Sequence, residues 1–119
     1  MLAIAIRVIG WLAALSVVIL SLLPGSLRPH VLPNNYEEHF LAYIVVGYLF
    51  AVGYPAFRQR LVVGAMLAIG AGSLEIAQLF VAGRISSVAD FAASALGAWI
   101  GLNLPLVARR LYGRLSDAA

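Results

Sequence analysis

Of the 119 residues, 63% are hydrophobic and only 11% carry a formal charge, which leaves too little polar surface to cover a soluble globule of this size. A mean hydropathy of +0.98, with charge gathered in short clusters between long apolar runs, indicates a polytopic integral membrane protein. The lack of cysteine excludes disulfides and thiolate sites, and the net charge of +3 is no nucleic-acid signal, because the eight basic residues are all arginine and mostly flank apolar runs, where they set topology.

The first segment, from Leu2 to about Leu23, is long enough to span a bilayer at roughly 20 residues for about 30 Å of hydrocarbon. Its apolar run is too long for a signal-peptide core and no A-x-A site follows, so it reads as a first spanning helix with Arg7 snorkelling to an interface. Pro24 and Gly25 break it. A polar loop follows, with Arg28, Pro29, His30, Pro33, Asn34 and Asn35. Asn34 or Asn35 is a candidate N-cap for a second helix, whose first turn carries Glu37 and Glu38.

The second segment covers about Glu37 to Tyr54 and stops before Pro55. His39, Tyr43 and Gly47 share one of its faces. A short basic loop from Phe57 to Arg60 leads to a third segment over residues 61–82. Gly64, Gly70 and Gly72 permit close helix contact there, and Gly83 is a plausible C-cap. The fourth segment runs from about Ser87 to Leu111. Ala93, Gly97 and Gly101 form a small-xxx-small face on it, and Pro105 is expected to kink it or end its regular part.

The fold expected is therefore all-α, one domain of four transmembrane helices. Arg7, Arg58, Arg60, Arg109, Arg110 and Arg114 fall on one side, and only Arg28 and Arg84 on the other. The positive-inside rule then places both termini in the cytoplasm. It also brings His39, Glu75, Gln78, Arg84 and Asp90 to the outer-leaflet end of the bundle.

Ionisable residues inside spanning segments usually face the bundle interior, pair with one another and mark function. Each of these also has a structural reading. Glu75 is helix–helix glue balanced by Arg84 or His39. Arg84 satisfies the last carbonyls of its own helix after Gly83. Ser87-x-x-Asp90 fits a capping box, and His39 is an interfacial histidine. A metal would draw on His39, Glu75 and Asp90, but no tight spacing such as H-E-x-x-H occurs, so neither a metal nor another cofactor is expected. No nucleophile elbow, glycine-rich phosphate loop or nucleic-acid module is present.

The run His39-Phe40-Leu41-Ala42-Tyr43 with Gly47, then Glu75-x-x-Gln78, Gly83-Arg84, Ser87-x-x-Asp90, Gly97 and Gly101, resembles the signature of the VanZ-like family. The resemblance extends from about Asn35 to Gly101. Two positions depart from the family pattern. Asn35-Tyr36 stands where Asp-Lys is usual, which removes one phosphate contact, and Ser94 stands where Asn is usual. The resemblance implies a small multi-pass protein of the bacterial cytoplasmic membrane, in a family named for glycopeptide-antibiotic resistance and thus tied to the cell envelope.

The function expected is a polar outer-leaflet site for an anionic lipid or lipid-linked headgroup. Arg84 binds the anion with Tyr43, Gln78 and Ser94 around it, and His39, Glu75 and Asp90 are the residues for any catalysis. Headgroup transfer or hydrolysis would use Glu75 as general base and His39 as its proton partner. A non-catalytic lipid or glycopeptide binder, and a structural subunit of an envelope complex, are the alternatives.

Overall fold

The chain folds into four helices, α1 Leu2–Leu22, α2 Asn35–Gly53, α3 Phe57–Gln78 and α4 Val88–Ala118, in a computed structural model that describes residues 1–29 and 32–118. His30, read as part of the first loop, lies outside the described residues. No strand occurs among them.

Helix ends follow local chemistry, and several differ from the sequence expectation. α1 stops where Leu23 turns extended ahead of Pro24, as a residue before proline must. Asn34 holds the N-cap position of α2 but its side chain makes no cap bond. It donates instead to Glu37 Oε1 at 2.9 Å. The expected basic loop at Phe57–Arg60 is already helical, because Gln59 Oε1 reaches back to accept the Ala56 N–H at 3.4 Å and so starts α3 one turn early. α3 also ends earlier than expected, at Gln78. The chain then turns through residues 79–84, and Gly83 takes φ +73° inside that turn rather than directly after the helix. α4 continues through Pro105 to Ala118. One proline removes a single ladder bond, and the arginine-rich residues beyond it continue the helix.

α2 and α4 form the tightest pair. A Cβ added at Gly97 would lie 2.4 Å from Phe40 O, and one at Gly101 only 2.2 Å from Ile44 O. Only glycine lets the two backbones approach this closely, as the spacing of these residues implied. The glycines of α3 do not act this way. Nothing lies within 4 Å of a Cβ at Gly70, and Gly64 and Gly72 meet only the side chains of Leu102 and Phe91.

Tyr43, Val46, Phe50, Val63, Leu67 and Leu102 fill the space between helices. Large apolar side chains face outward in turn: Ile69 is 70% exposed and Trp99 66%. Glu75, Gln78, Asp90 and Ser94 are buried. Apolar outside and polar inside is the arrangement a lipid solvent favours. Three helices, α1, α3 and α4, are long and apolar enough to cross a membrane.

At the opposite end from the buried polar residues, Arg7 Nε donates to Gly53 O at 2.8 Å, and its guanidinium lies over the Tyr54 ring at 4.6 Å. It thus caps the C-terminus of α2, a more specific role than snorkelling.

Candidate functional site

The end of α1, the start of α2, the end of α3 and the start of α4 meet at one end of the bundle. Most of the residues singled out by the sequence gather there. His39 on α2, Glu75 on α3 and Asp90 on α4 each bring one ligand-type atom within 4.8 Å of the others. His39 Nδ1 is 3.8 Å from Glu75 Oε1, and the two side chains are only 10% and 9% exposed. Ser94 Oγ lies 3.1 Å from the same Nδ1.

The capping box read at Ser87-x-x-Asp90 forms by half. Ser87 Oγ accepts the Asp90 N–H at 3.0 Å. The acidic half comes from another helix: Glu75 Oε2 accepts the Ser87 N–H and the Ser86 hydroxyl, both at 3.0 Å. The Asp90 carboxylate is thereby released from capping, and its Oδ2 accepts from Asn35 Nδ2 at 2.8 Å.

Arg84 caps a helix, but not its own. Its Nη2 donates to Leu20 O at 2.7 Å and Ser21 O at 2.8 Å, and its Nε to Ser21 O at 3.3 Å. These are the last carbonyls of α1, which the helix leaves unsatisfied. Gln78 Nε2 joins them on Ser21 O at 2.9 Å, while Gln78 Oε1 is buried with no partner among the described residues. Arg84 therefore forms no ion pair with Glu75, and His39 is the partner of that carboxylate. Desolvation, followed by repulsion from Arg28, lowers the Arg84 pKa, although an arginine keeps its charge under ordinary conditions.

Two loops must touch for this. Gly25 N donates to Ala82 O at 2.9 Å, and a Cβ on Gly25 would sit 2.0 Å from Gly83 O. The glycine-on-glycine crossing brings Arg28 and Arg84 to the same end of the bundle. Arg28 pairs with Glu38 and donates to Asn35 Oδ1, and Glu38 Oε1 also accepts the Leu32 N–H at 3.1 Å.

Two cavities open here. One, of about 270 Å³, is chiefly apolar and lies between α1 and α2, with Val17, Leu20, Leu41 and Tyr43 in its wall. The other, of about 360 Å³, is more polar and touches Asn35, Ser87 and Asp90. Arg28, Leu32 and Arg84 line both. Tyr43 thus belongs to the apolar cavity, whose wall also includes His39 of the cluster.

Arg28, Asn35 and Glu38 are site residues that the sequence reading passed over. Arg28 places a guanidinium near the start of α2. Its signal was an isolated arginine in an otherwise uncharged loop, nine and ten residues ahead of Glu37 and Glu38. Asn35 is a bridge and not a cap, since its amide accepts from Arg28 and donates to Asp90.

The chemistry open to the cluster is bounded by which atom faces which. A serine nucleophile relay needs serine and carboxylate on opposite nitrogens of the histidine. Here Ser94 Oγ and Glu75 Oε1 both face Nδ1, so Ser94 is not arranged as an activated nucleophile. The arrangement suits binding, proton exchange between His39 and Glu75, or ligation. No protein-family model matches the chain, and neither a curated protein nor a solved structure matches it.

Proposed function

We propose that the chain is a four-span, VanZ-like protein of the bacterial cytoplasmic membrane, with both termini inside, that binds the anionic headgroup of a membrane lipid or lipid-linked envelope precursor at the outer leaflet. The observation that carries this reading is the sharing of Arg28 and Arg84 by an apolar and a polar cavity. An amphipathic ligand needs such a junction: an apolar slot for its chain, a polar chamber for its headgroup, and cations between them. Arg84 Nη1 makes no bond to a described residue, which leaves part of its fork for an anion. α2 is the fourth span, with Glu37 and Glu38 at its interfacial end.

The test is native mass spectrometry of the protein purified in detergent, with phosphatidylglycerol and phosphatidylcholine in competition. Phosphatidylglycerol is expected to be retained preferentially. Arg84→Gln and Arg28→Gln should each weaken that retention at least fivefold while phosphatidylcholine is held as before. Equal retention of both lipids by the unaltered protein overturns the reading.

A second reading, a structural subunit without a ligand, is favoured by one observation: Arg84 and Gln78 already serve the end of α1. It expects no lipid preference.

A further inference from the structure

We infer that His39, Glu75 and Asp90 hold a divalent metal ion of the zinc class, with one ligand from each of α2, α3 and α4. No short sequence spacing announces such a site, because each helix contributes a single residue.

Three features of the cluster carry the inference. First, an imidazole and two carboxylates converge within 4.8 Å in a largely buried place. Second, each carboxylate has one oxygen fixed by neutral donors and the other left over. Glu75 Oε2 is held by Ser86 and Ser87, and Asp90 Oδ2 by Asn35. Glu75 Oε1 and Asp90 Oδ1 accept no hydrogen bond from a described residue, and the 3.8 Å from Glu75 Oε1 to His39 Nδ1 exceeds hydrogen-bond length. Outer partners that orient ligating carboxylates in this way are a regular part of metal sites.

Third, two carboxylates face a single imidazole, so their charges need a further counterion. Buried carboxylates are paired or coordinate metals. Among the described residues neither Glu75 nor Asp90 forms an ion pair with an arginine. Arg28 is engaged by Glu38 and Asn35, and Arg84 by the carbonyls of α1. A divalent ion balances both carboxylates at once.

The ligand types select the ion. Oxygen-only sets suit magnesium and calcium, while an imidazole shifts preference to zinc and its transition-metal neighbours. Bonds of about 2.0–2.2 Å place tetrahedral ligands roughly 3.5 Å apart, so the three side chains close by about an ångström as the ion enters. With three protein ligands, a water completes a four-coordinate ion, and Ser94 Oγ, 3.1 Å from His39 Nδ1, lies beside the site. This inference stands on the cluster alone and does not depend on the headgroup reading.

The experiment is isothermal titration of tag-free protein in detergent, stripped with EDTA and free of added lipid, with ZnCl₂ and separately with MgCl₂. One zinc per chain with a dissociation constant of micromolar or below is expected, and magnesium at least a hundredfold weaker. His39→Ala, Glu75→Gln and Asp90→Asn should each weaken zinc at least tenfold, whereas His30→Ala, which removes the other histidine of the sequence, should not. Helical circular dichroism and gel filtration identify any variant that fails to fold. The Co²⁺ absorption spectrum of the unaltered protein, with visible bands of a four-coordinate site, reports ligation without any variant. Absence of a stoichiometric zinc site in the unaltered protein overturns the inference, as does zinc affinity within twofold of the parent in the folded variants.

Discussion

Glu75 Oε2 accepts the backbone N–H of Ser87 at 3.0 Å, so a carboxylate of α3 completes the N-terminus of α4. The same carboxylate faces His39 on α2 with its other oxygen. One side chain thus ties three helices at a single depth. Helix–helix glue and site residue, which look like alternatives in the sequence, are served by different oxygens of one group.

Replacing Glu75 separates these roles. Glu75→Ala leaves the Ser87 N–H and the Ser86 hydroxyl without their acceptor, and loss of a hydrogen bond to a charged group costs about 1.5–3 kcal/mol. Glu75→Gln retains an acceptor oxygen at the cap and should lose less than half as much. Thermal unfolding in detergent checks the ranking. Equal losses for the two variants would mean that charge, and not the cap, is what α4 requires.

The polar residues were legible as a group because they lie near the ends of successive apolar runs, and antiparallel helices bring those ends together. Partners were less legible. Gln78 and Arg84 look like members of one cluster with Glu75, but they are drawn to Ser21 O by the unsatisfied carbonyls of α1, a demand created by a helix distant in sequence. Gly97 and Gly101 stood out by spacing alone. Gly64, Gly70 and Gly72 showed the same composition without a backbone behind it, since composition does not say which face meets a neighbour. The fourth segment was expected to run past Pro105 to about Leu111, and α4 continues further, to Ala118, because a single lost ladder bond is weaker than the helix on either side.

That contrast among glycines is testable. Gly97→Ala places a methyl 2.4 Å from Phe40 O, a backbone atom that moves only if α2 and α4 part. A loss of about 1–3 kcal/mol is expected, as for overpacking, and Gly97→Leu should prevent folding. Gly70→Ala meets nothing within 4 Å and gains up to about 1 kcal/mol in helix propensity. Detergent unfolding midpoints should therefore move in opposite directions for the two alanine variants.

The proposed cytoplasmic termini rest on six arginines against two. A green fluorescent protein fusion at the C-terminus should fluoresce, and alkaline phosphatase inserted between Leu32 and Asn35 should be active. Active alkaline phosphatase at the C-terminus would defeat this topology and would put the His39–Glu75–Asp90 cluster on the inner side.

The last prediction concerns Arg84 and Glu75 together. Arg84 spans two carbonyls of α1 with its planar fork, and Glu75 caps α4 and faces His39. The two share no partner. Arg84→Lys keeps the charge but loses the fork, and each lost bond costs about 1 kcal/mol. For stability, Arg84→Lys and Glu75→Gln should then add to within about 0.5 kcal/mol in the double variant. An ion pair would behave otherwise: removing one partner leaves an uncompensated charge, and removing both restores stability. Anionic-lipid retention should not follow this additivity. If one headgroup reaches both residues, the first substitution removes most of the retention and the second adds little. The measurement is a double-mutant cycle read twice, by unfolding in detergent and by phosphatidylglycerol retention. Additive stability with coupled retention supports a headgroup site built on two independent helix caps. Stability regained in the double variant would make the pair a structural salt bridge and remove Arg84 from the site.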